Sequence, residues 1–420
     1  MSQINAIKGT ADILPAESYK IQYIEAAAKR AASRRGYYEM RTPVFEYTEL
    51  FNRGVGDTTD VVQKEMYTFD DKGGRSITLR PEGTAGAARA FLEHGLFNEP
   101  LPQRIMYLTT CYRYEKPQAG RYREFRQFGI ECFGSPSYLA DAEVIGVAAD
   151  FYNSLGVPDL TLEINSIGCP QCRGNYTAAL RAYFEKHAGE LCETCLSRLS
   201  KNPMRILDCK SPVCSAIAAD APVVLDYICD ECKEHFEGLK GTLEGLGIDY
   251  TINPRIVRGL DYYTRTVFEF VSHNEKTQGL VCGGGGRYDG LIEELGGSPV
   301  PACGFGLGIE RTLLAMECGG ASFGDAPVTE LFIVTAGERA LKKASLIAAE
   351  LRGAGVCASY DIMGRSVKAQ MKYANKIGAV YTAVLGDNEL DSGTAMLKNM
   401  RDGSEREIST QSFAEDFTKG

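Results

Sequence analysis

Three stretches in the first third of the chain constrain the fold more than any other feature. Residues 76–80 (SITLR), 104–114 (RIMYLTTCYRY) and 125–133 (FRQFGIECF) are rich in β-branched and aromatic residues and are broken by Gly and Pro. They follow one another without the regular helix-after-strand rhythm that a parallel sheet demands. Helical periodicity appears around them, at 17–35, 82–93 and 139–155. This order predicts an α+β unit on a mainly antiparallel sheet and disfavours a doubly wound dinucleotide fold. The strand pattern runs to about Asn165 and resumes near Asn253, so the intervening segment reads as an insertion within one domain. Past Ala326 the rhythm changes to strand (331–336), helix (338–353), strand (356–361), helix (366–377) and strand (379–386), which is a small α/β domain. The expected division is 1–165 with 253–325, an inserted 166–252, and 326–420.

Composition narrows the function classes. With 44% hydrophobic and 24% charged residues the chain is an ordinary globular one, and 46 − 55 = −9 excludes a nucleic-acid binder held by bulk positive charge. Residues 326–420 hold 12 Lys+Arg and 12 Asp+Glu, so the −9 belongs to the remainder. Neither a bilayer-spanning apolar run nor a basic-then-apolar leader is apparent, and a cytoplasmic location is expected.

Eight of fourteen cysteines fall in the insertion: the CxxC pairs Cys169/Cys172, Cys192/Cys195 and Cys229/Cys232, and the looser pair Cys209/Cys214. CxxC repeated at this spacing is a zinc signal, because each pair offers two thiolates to a tetrahedral ion. Eight ligands serve two structural Zn2+ sites or one with spares; reduced thiols and an iron–sulfur cluster are the alternatives.

Several polar residues stand where a dry core would exclude them. Arg80 precedes Pro81 and closes a strand, so Glu82 opens a helix at a sheet end. Arg113, Gln127 and Glu131 fall on the two strands of a hairpin whose loop carries Lys116, Arg121 and Arg123. Gln127 and Glu131 share one face, which suits a ligand-facing surface. The glycine run 283–286 and the GFGLGIER segment at 304–311 are flanked by apolar strand residues, as where a ligand approaches backbone. No P-loop pattern is present.

Taken together, these motifs resemble the histidyl-tRNA synthetase family of class II aminoacyl-tRNA synthetases over nearly the whole chain. Residues 42–46 (TPVFE) are similar to the first, dimer-forming motif of the class, placing Pro43 and Glu46 at a homodimer contact. Residues 113–131 resemble the second motif and 304–311 the third. LRPEGT (79–84) and RGLDYY (258–263) resemble the histidine-specific signatures, with GGGRYDGL (284–291) beside them. Tyr112 stands where phenylalanine is usual, and the glycine run is longer than in many members.

The resemblance implies ligation of L-histidine to tRNA(His) through a histidyl-adenylate, with ATP and Mg2+. It implies that Arg113 and Arg258 contact the α-phosphate, Arg121 the outer phosphates and Arg311 the nucleotide. Glu82, Thr84 and Gln127 would then bind the α-amino group, and Glu131, Tyr262 and Tyr263 the imidazole end. Arg365, Lys368, Lys372 and Lys376, read as one helix face, become the tRNA contacts of an anticodon-binding domain. His94, His187, His235 and His273 fall outside the motifs and are expected to be structural or surface residues. Two rivals remain: a non-charging paralogue acting as a regulatory subunit in histidine biosynthesis, and a zinc-ribbon nucleic-acid binder, which accounts only for the middle of the chain.

Overall fold

The computed structural model describes residues 3–56, 59, 61–207, 209–256, 260–277 and 279–419. It divides into two compact units, Met1–Gly324 and Asp325–Gly420.

The first unit is built on an eight-stranded sheet. Its six central strands are Gln103–Tyr112, Glu124–Phe133, Ala302–Gly308, Leu280–Arg287, Thr264–Ser272 and Leu160–Ser166, in that spatial order and all antiparallel. Two short edge strands, Tyr38–Glu39 and Thr251–Ile252, pair parallel to their neighbours. One face is covered by helices Pro15–Arg34, Tyr138–Leu155 and Ile309–Gly319, whose Ile24, Ala28, Ile145, Phe151 and Met316 share a core with Phe128 and Phe305 of the strands. A small antiparallel sheet, Phe45–Tyr47, Ser76–Leu79 and Tyr67–Asp70, leads into helix Thr84–Glu93.

One buried ionic network ties the sheet to its helices. Arg287, with no solvent exposure, reaches Asp141 (Nη2 to Oδ1, 2.6 Å), Asp289 (3.0 Å) and the carbonyls of Ser135 and Ser137. Asp141 also accepts from Thr266 (2.7 Å) and meets His235 Nε2 at 2.6 Å. His235 is therefore buried and structural, and it lies on helix Asp230–Gly245, which contributes Phe236, Leu239 and Leu243 to the main core. The rest of the cysteine-rich segment has a separate core of Tyr176, Leu180, Phe184, Ile206, Ala218 and Val224.

The second unit is a five-stranded sheet. Leu331–Thr335 lies between Ala358–Tyr360 and Tyr381–Leu385, all parallel, and Thr394–Asn399 and Glu405–Ser409 extend it antiparallel. The last two strands were not legible as strands in the sequence. Among the described residues no helix is long and apolar enough to cross a membrane.

Candidate active site

A cavity of about 570 Å³ opens over the glycine-rich middle of the large sheet. Gly283, Gly284, Gly306 and Gly308 form its floor, and the run 283–286 is a regular strand, not a loop. A methyl group on Gly304 would overlap the Glu131 carboxylate, and one on Gly306 would overlap the Gln127 amide. These glycines make room for neighbouring polar side chains as well as for a ligand.

Glu82, Thr84, Arg113, Arg121, Gln127, Tyr262, Tyr263 and Arg311 all line this cavity, although they come from four separate stretches of sequence. Arg258 lies outside the described residues. Glu82 does not begin helix Thr84–Glu93; it precedes it, and its two oxygens accept the backbone N–H groups of Thr84 and Ala85, each at 2.7 Å. Burial nonetheless raises the Glu82 carboxyl above its usual range, with those bonds opposing. Gln127 Oε1 accepts from Gly83 N at 3.0 Å, so the helix start and the strand are locked together.

Arg113 stands just past its strand. Its Nε donates to Pro81 O (2.8 Å), and its guanidinium lies over the Phe125 ring at 5.3 Å, which fixes it without neutralising it. Glu115 is 3.8 Å from Arg113 and 3.6 Å from Arg121. Arg311 donates to Val281 O (2.7 Å) and Gly120 O (3.3 Å), so the hairpin loop and the third motif meet.

Glu131 is placed differently from the other candidates. It is fully buried behind the cavity wall, with Tyr107 donating to one oxygen (2.9 Å) and Tyr288 to the other. Burial pushes its carboxyl up to about 8 despite the phenols, so it is largely neutral at pH 7.

Cavity residues that sequence reasoning missed are Phe125, Lys210, Asn253, Arg255, Glu269, Cys282 and Glu310. Lys210 adjoins Cys209 and comes from the insertion, a position no local pattern marks. Burial pushes the Cys282 thiol up to about 12, away from the thiolate form.

Pro43 and Glu46 lie elsewhere, in an open groove of about 1170 Å³ bordered by Tyr47, Leu50, Phe97, Leu295 and Val300. Glu46 is held by Arg89 at 2.5 Å, and Phe45, Tyr47, Phe97 and Leu101 nearby are exposed.

The cysteines form two clusters, each with all four sulfurs within 4.8 Å of one another. Cys169, Cys172, Cys229 and Cys232 make one, and Cys192, Cys195, Cys209 and Cys214 the other. The local reason is shared. In each CxxC the first cysteine is the N-cap of a helix (170–185, 193–201, 230–245), and the second lies in its first turn, where burial pushes the thiols of Cys172, Cys195 and Cys232 up. Cys169 and Cys192 are each held down to about 7: at Cys169, N–H and thiol donors of the cluster outweigh burial, and at Cys192 bonds from Cys195 lead.

In the second unit, Lys368, Lys372 and Lys376 are exposed on helix Val367–Lys376. Arg365 departs from the expected single face. It precedes the helix, pairs with Asp361 at 2.7 Å and lies over the Tyr373 ring at 4.4 Å, because Asp361 also accepts the Arg365 N–H and closes a turn there.

A six-strand antiparallel core with a glycine floor, an arginine on the hairpin and another opening the helix after the last motif define a class II aminoacyl-tRNA synthetase. Comparison with known proteins sharpens this: the model of histidyl-tRNA synthetases matches residues 9–312, and that of an anticodon binding domain matches 330–419. The chain belongs to the histidyl-tRNA synthetase family. It is 54% identical over 404 residues to the histidine–tRNA ligase of Acetivibrio thermocellus, covering 96% of this chain and 97% of that one. Identity to the Clostridium kluyveri ligase is 56% over 406 residues, covering 97% and 96%. The apo histidyl-tRNA synthetase of S. aureus has a similar structure, with a TM-score of 0.85, 40% identity, and 99% and 100% coverage. The regulatory-subunit reading is not favoured by these likenesses.

Proposed function

We propose that this protein joins L-histidine to tRNA(His) in two steps at the one cavity. The observation that carries the reading is the convergence there of Arg113, Arg121 and Arg311 with Glu82, Thr84, Gln127, Tyr262 and Tyr263. In the first step a carboxylate oxygen of histidine attacks the α-phosphorus of ATP and pyrophosphate leaves. Bringing two anions together is the main difficulty, and fixed guanidinium groups meet it. Arg113, immobilised by Pro81 and Phe125, is assigned to the α-phosphate with Arg258, Arg121 to the outer phosphates and Arg311 to the nucleotide. Glu82, Thr84 and Gln127 take the α-amino group. Tyr262 and Tyr263 meet the imidazole, with Glu131 acting on it through the phenols of Tyr107 and Tyr288 that it holds. In the second step a ribose hydroxyl at the tRNA 3′ end attacks the acyl carbon and AMP leaves, with no enzyme-bound acyl group.

Glu269 and Glu310 line the cavity with hard oxygen donors of the kind Mg2+ takes, Glu310 also accepting the Arg126 N–H at 2.9 Å, and Mg2+ there would screen the triphosphate. In the cysteine clusters, sulfur separations of 3.5, 3.9 and 4.0 Å match the ~3.8 Å edge of a tetrahedron with Zn–S bonds of about 2.3 Å, so the reading assigns one structural Zn2+ to each. The domain roles follow: 1–165 and 253–325 catalytic, 166–252 inserted, 326–420 anticodon-binding, with Lys368, Lys372, Lys376 and Arg365 toward tRNA. The groove at Pro43 and Glu46, rimmed by exposed aromatics, is where a second copy would pack.

Histidine-dependent ATP–pyrophosphate exchange tests the assignment. Exchange with L-histidine and none with other amino acids is the expected result; no exchange in a folded protein refutes it.

A further inference from the structure

Among its contacts with the catalytic unit, the inserted segment reaches residues 260–263, which carry the cavity residues Tyr262 and Tyr263. That stretch has no helix or strand of its own to hold it. Arg173 donates to the carbonyls of both Asp261 (3.2 Å) and Tyr263, on either side of Tyr262. Arg205 pairs with the Asp261 carboxylate at 3.3 Å. Arg173 directly follows Cys172 of one cluster. Arg205 lies on the turn Pro203–Ile206, between helix Glu193–Lys201, whose start bears Cys192 and Cys195, and Cys209 of the other cluster. Each cluster thus extends one guanidinium to the same residue from a different direction.

We propose that Arg173 and Arg205 are positioning residues for histidine binding, and that the metal-filled clusters fix them. An irregular segment keeps two tyrosines in register only if its backbone is pinned, and a multidentate guanidinium pins carbonyls more firmly than a single neutral bond. A metal bound to four thiolates in turn fixes the first turn of the helix bearing each cluster's CxxC pair. This rests on the reading of the clusters as metal sites and of Tyr262 and Tyr263 as the histidine end of the cavity.

The test is calorimetric titration of full-length, metal-analysed protein with L-histidine and, separately, with ATP. R173A and R205A should each weaken histidine binding by about ten-fold or more, the effect of losing a charged hydrogen bond at a pinned segment, with ATP affinity changed less than about two-fold. R173K, keeping charge but not the fork, should recover part of the loss. Should R173A fail to fold, R205A and R173K decide the matter. C195S should lower metal content and reproduce the R205A loss. Purified protein without zinc overturns the metal reading beneath the proposal. Two zincs per chain with histidine affinity unaltered in R173A or R173K and in R205A overturns the proposal itself.

Discussion

Replacing Asp141 by Asn removes the one anion that Arg287 shares with His235 while keeping the side-chain shape. Asp141 is 2% exposed and Arg287 not at all, so the guanidinium is left in the interior with weaker compensation. Breaking a buried pair by removing one partner costs about 3–5 kcal/mol. Arg287 keeps Asp289 at 3.0 Å and the carbonyls of Ser135 and Ser137, which places the expected cost near the lower end, about 3 kcal/mol. For a unit this large each kcal/mol lowers the melting midpoint by about 2 °C, so D141N should melt about 6 °C below wild type. D289N is the control: its carboxylate is about a third exposed, and a shift of at most about 2 °C is expected. Burial alone would raise the Asp141 carboxyl, but Arg287 and His235 outweigh it and hold it below its ordinary value. Its stabilisation is therefore present above the unfolded carboxylate range of about 4, and it is lost only as pH falls through the depressed value. Circular dichroism melts at pH 7 and at strongly acid pH measure both points. A D141N midpoint within 2 °C of wild type at pH 7 refutes the argument that this network secures the sheet to its helices.

Glu131 has the opposite sign: with its carboxyl raised to about 8, its contribution is full below the unfolded value near 4 and is lost as pH rises through about 8. Wild-type stability should fall between about pH 4 and pH 8 by up to about 1.4 kcal/mol per pH unit from this group and level off above, and E131Q, isosteric with the neutral acid, should fall less; parallel pH profiles refute this. K368A/K372A should raise the KM for tRNA several-fold and flatten its salt dependence while leaving adenylate formation intact, because phosphate contacts bind without touching the first step; equal loss in exchange and charging assays counts against the assigned face.

Local chemistry made the central strands legible: aromatic and β-branched runs ended by Gly and Pro became strands within a residue or two of their expected ends. Glu82 was legible as a helix-start acid, since Pro81 restricts the chain there, and the structure gives it both a capping bond and a cavity face. The glycine run was legible as special but not as a strand, because what it accommodates, Phe305 and Leu307 on one neighbouring strand and Thr266 and Val267 on the other, is brought against it only by the pairing of the sheet. Cysteine partnership was also out of reach. CxxC fixes each pair locally, whereas joining the first pair to the last is a tertiary event that spacing does not encode. Lys210 illustrates the same limit, as a surface-type residue that enters the site only because the insertion folds back.

The two clusters are nested: the outer one closes residues 169–232 around the inner one. Helix Asp230–Gly245, which begins at the outer cluster, is also the crossover that makes Thr251–Ile252 parallel to Leu160–Ser166. With a metal bound, the outer cluster would work as a neck, gripping the chain where it leaves the sheet and where it returns. Whatever lies beyond a closed neck can lengthen or shorten at an entropic penalty that grows only with the logarithm of loop length. Within residues 174–228, the stretches that carry neither the inner cluster nor Arg205 and Lys210 are consequently the part of this fold most open to graft, trim or replacement by design, and the sheet beneath would keep its register.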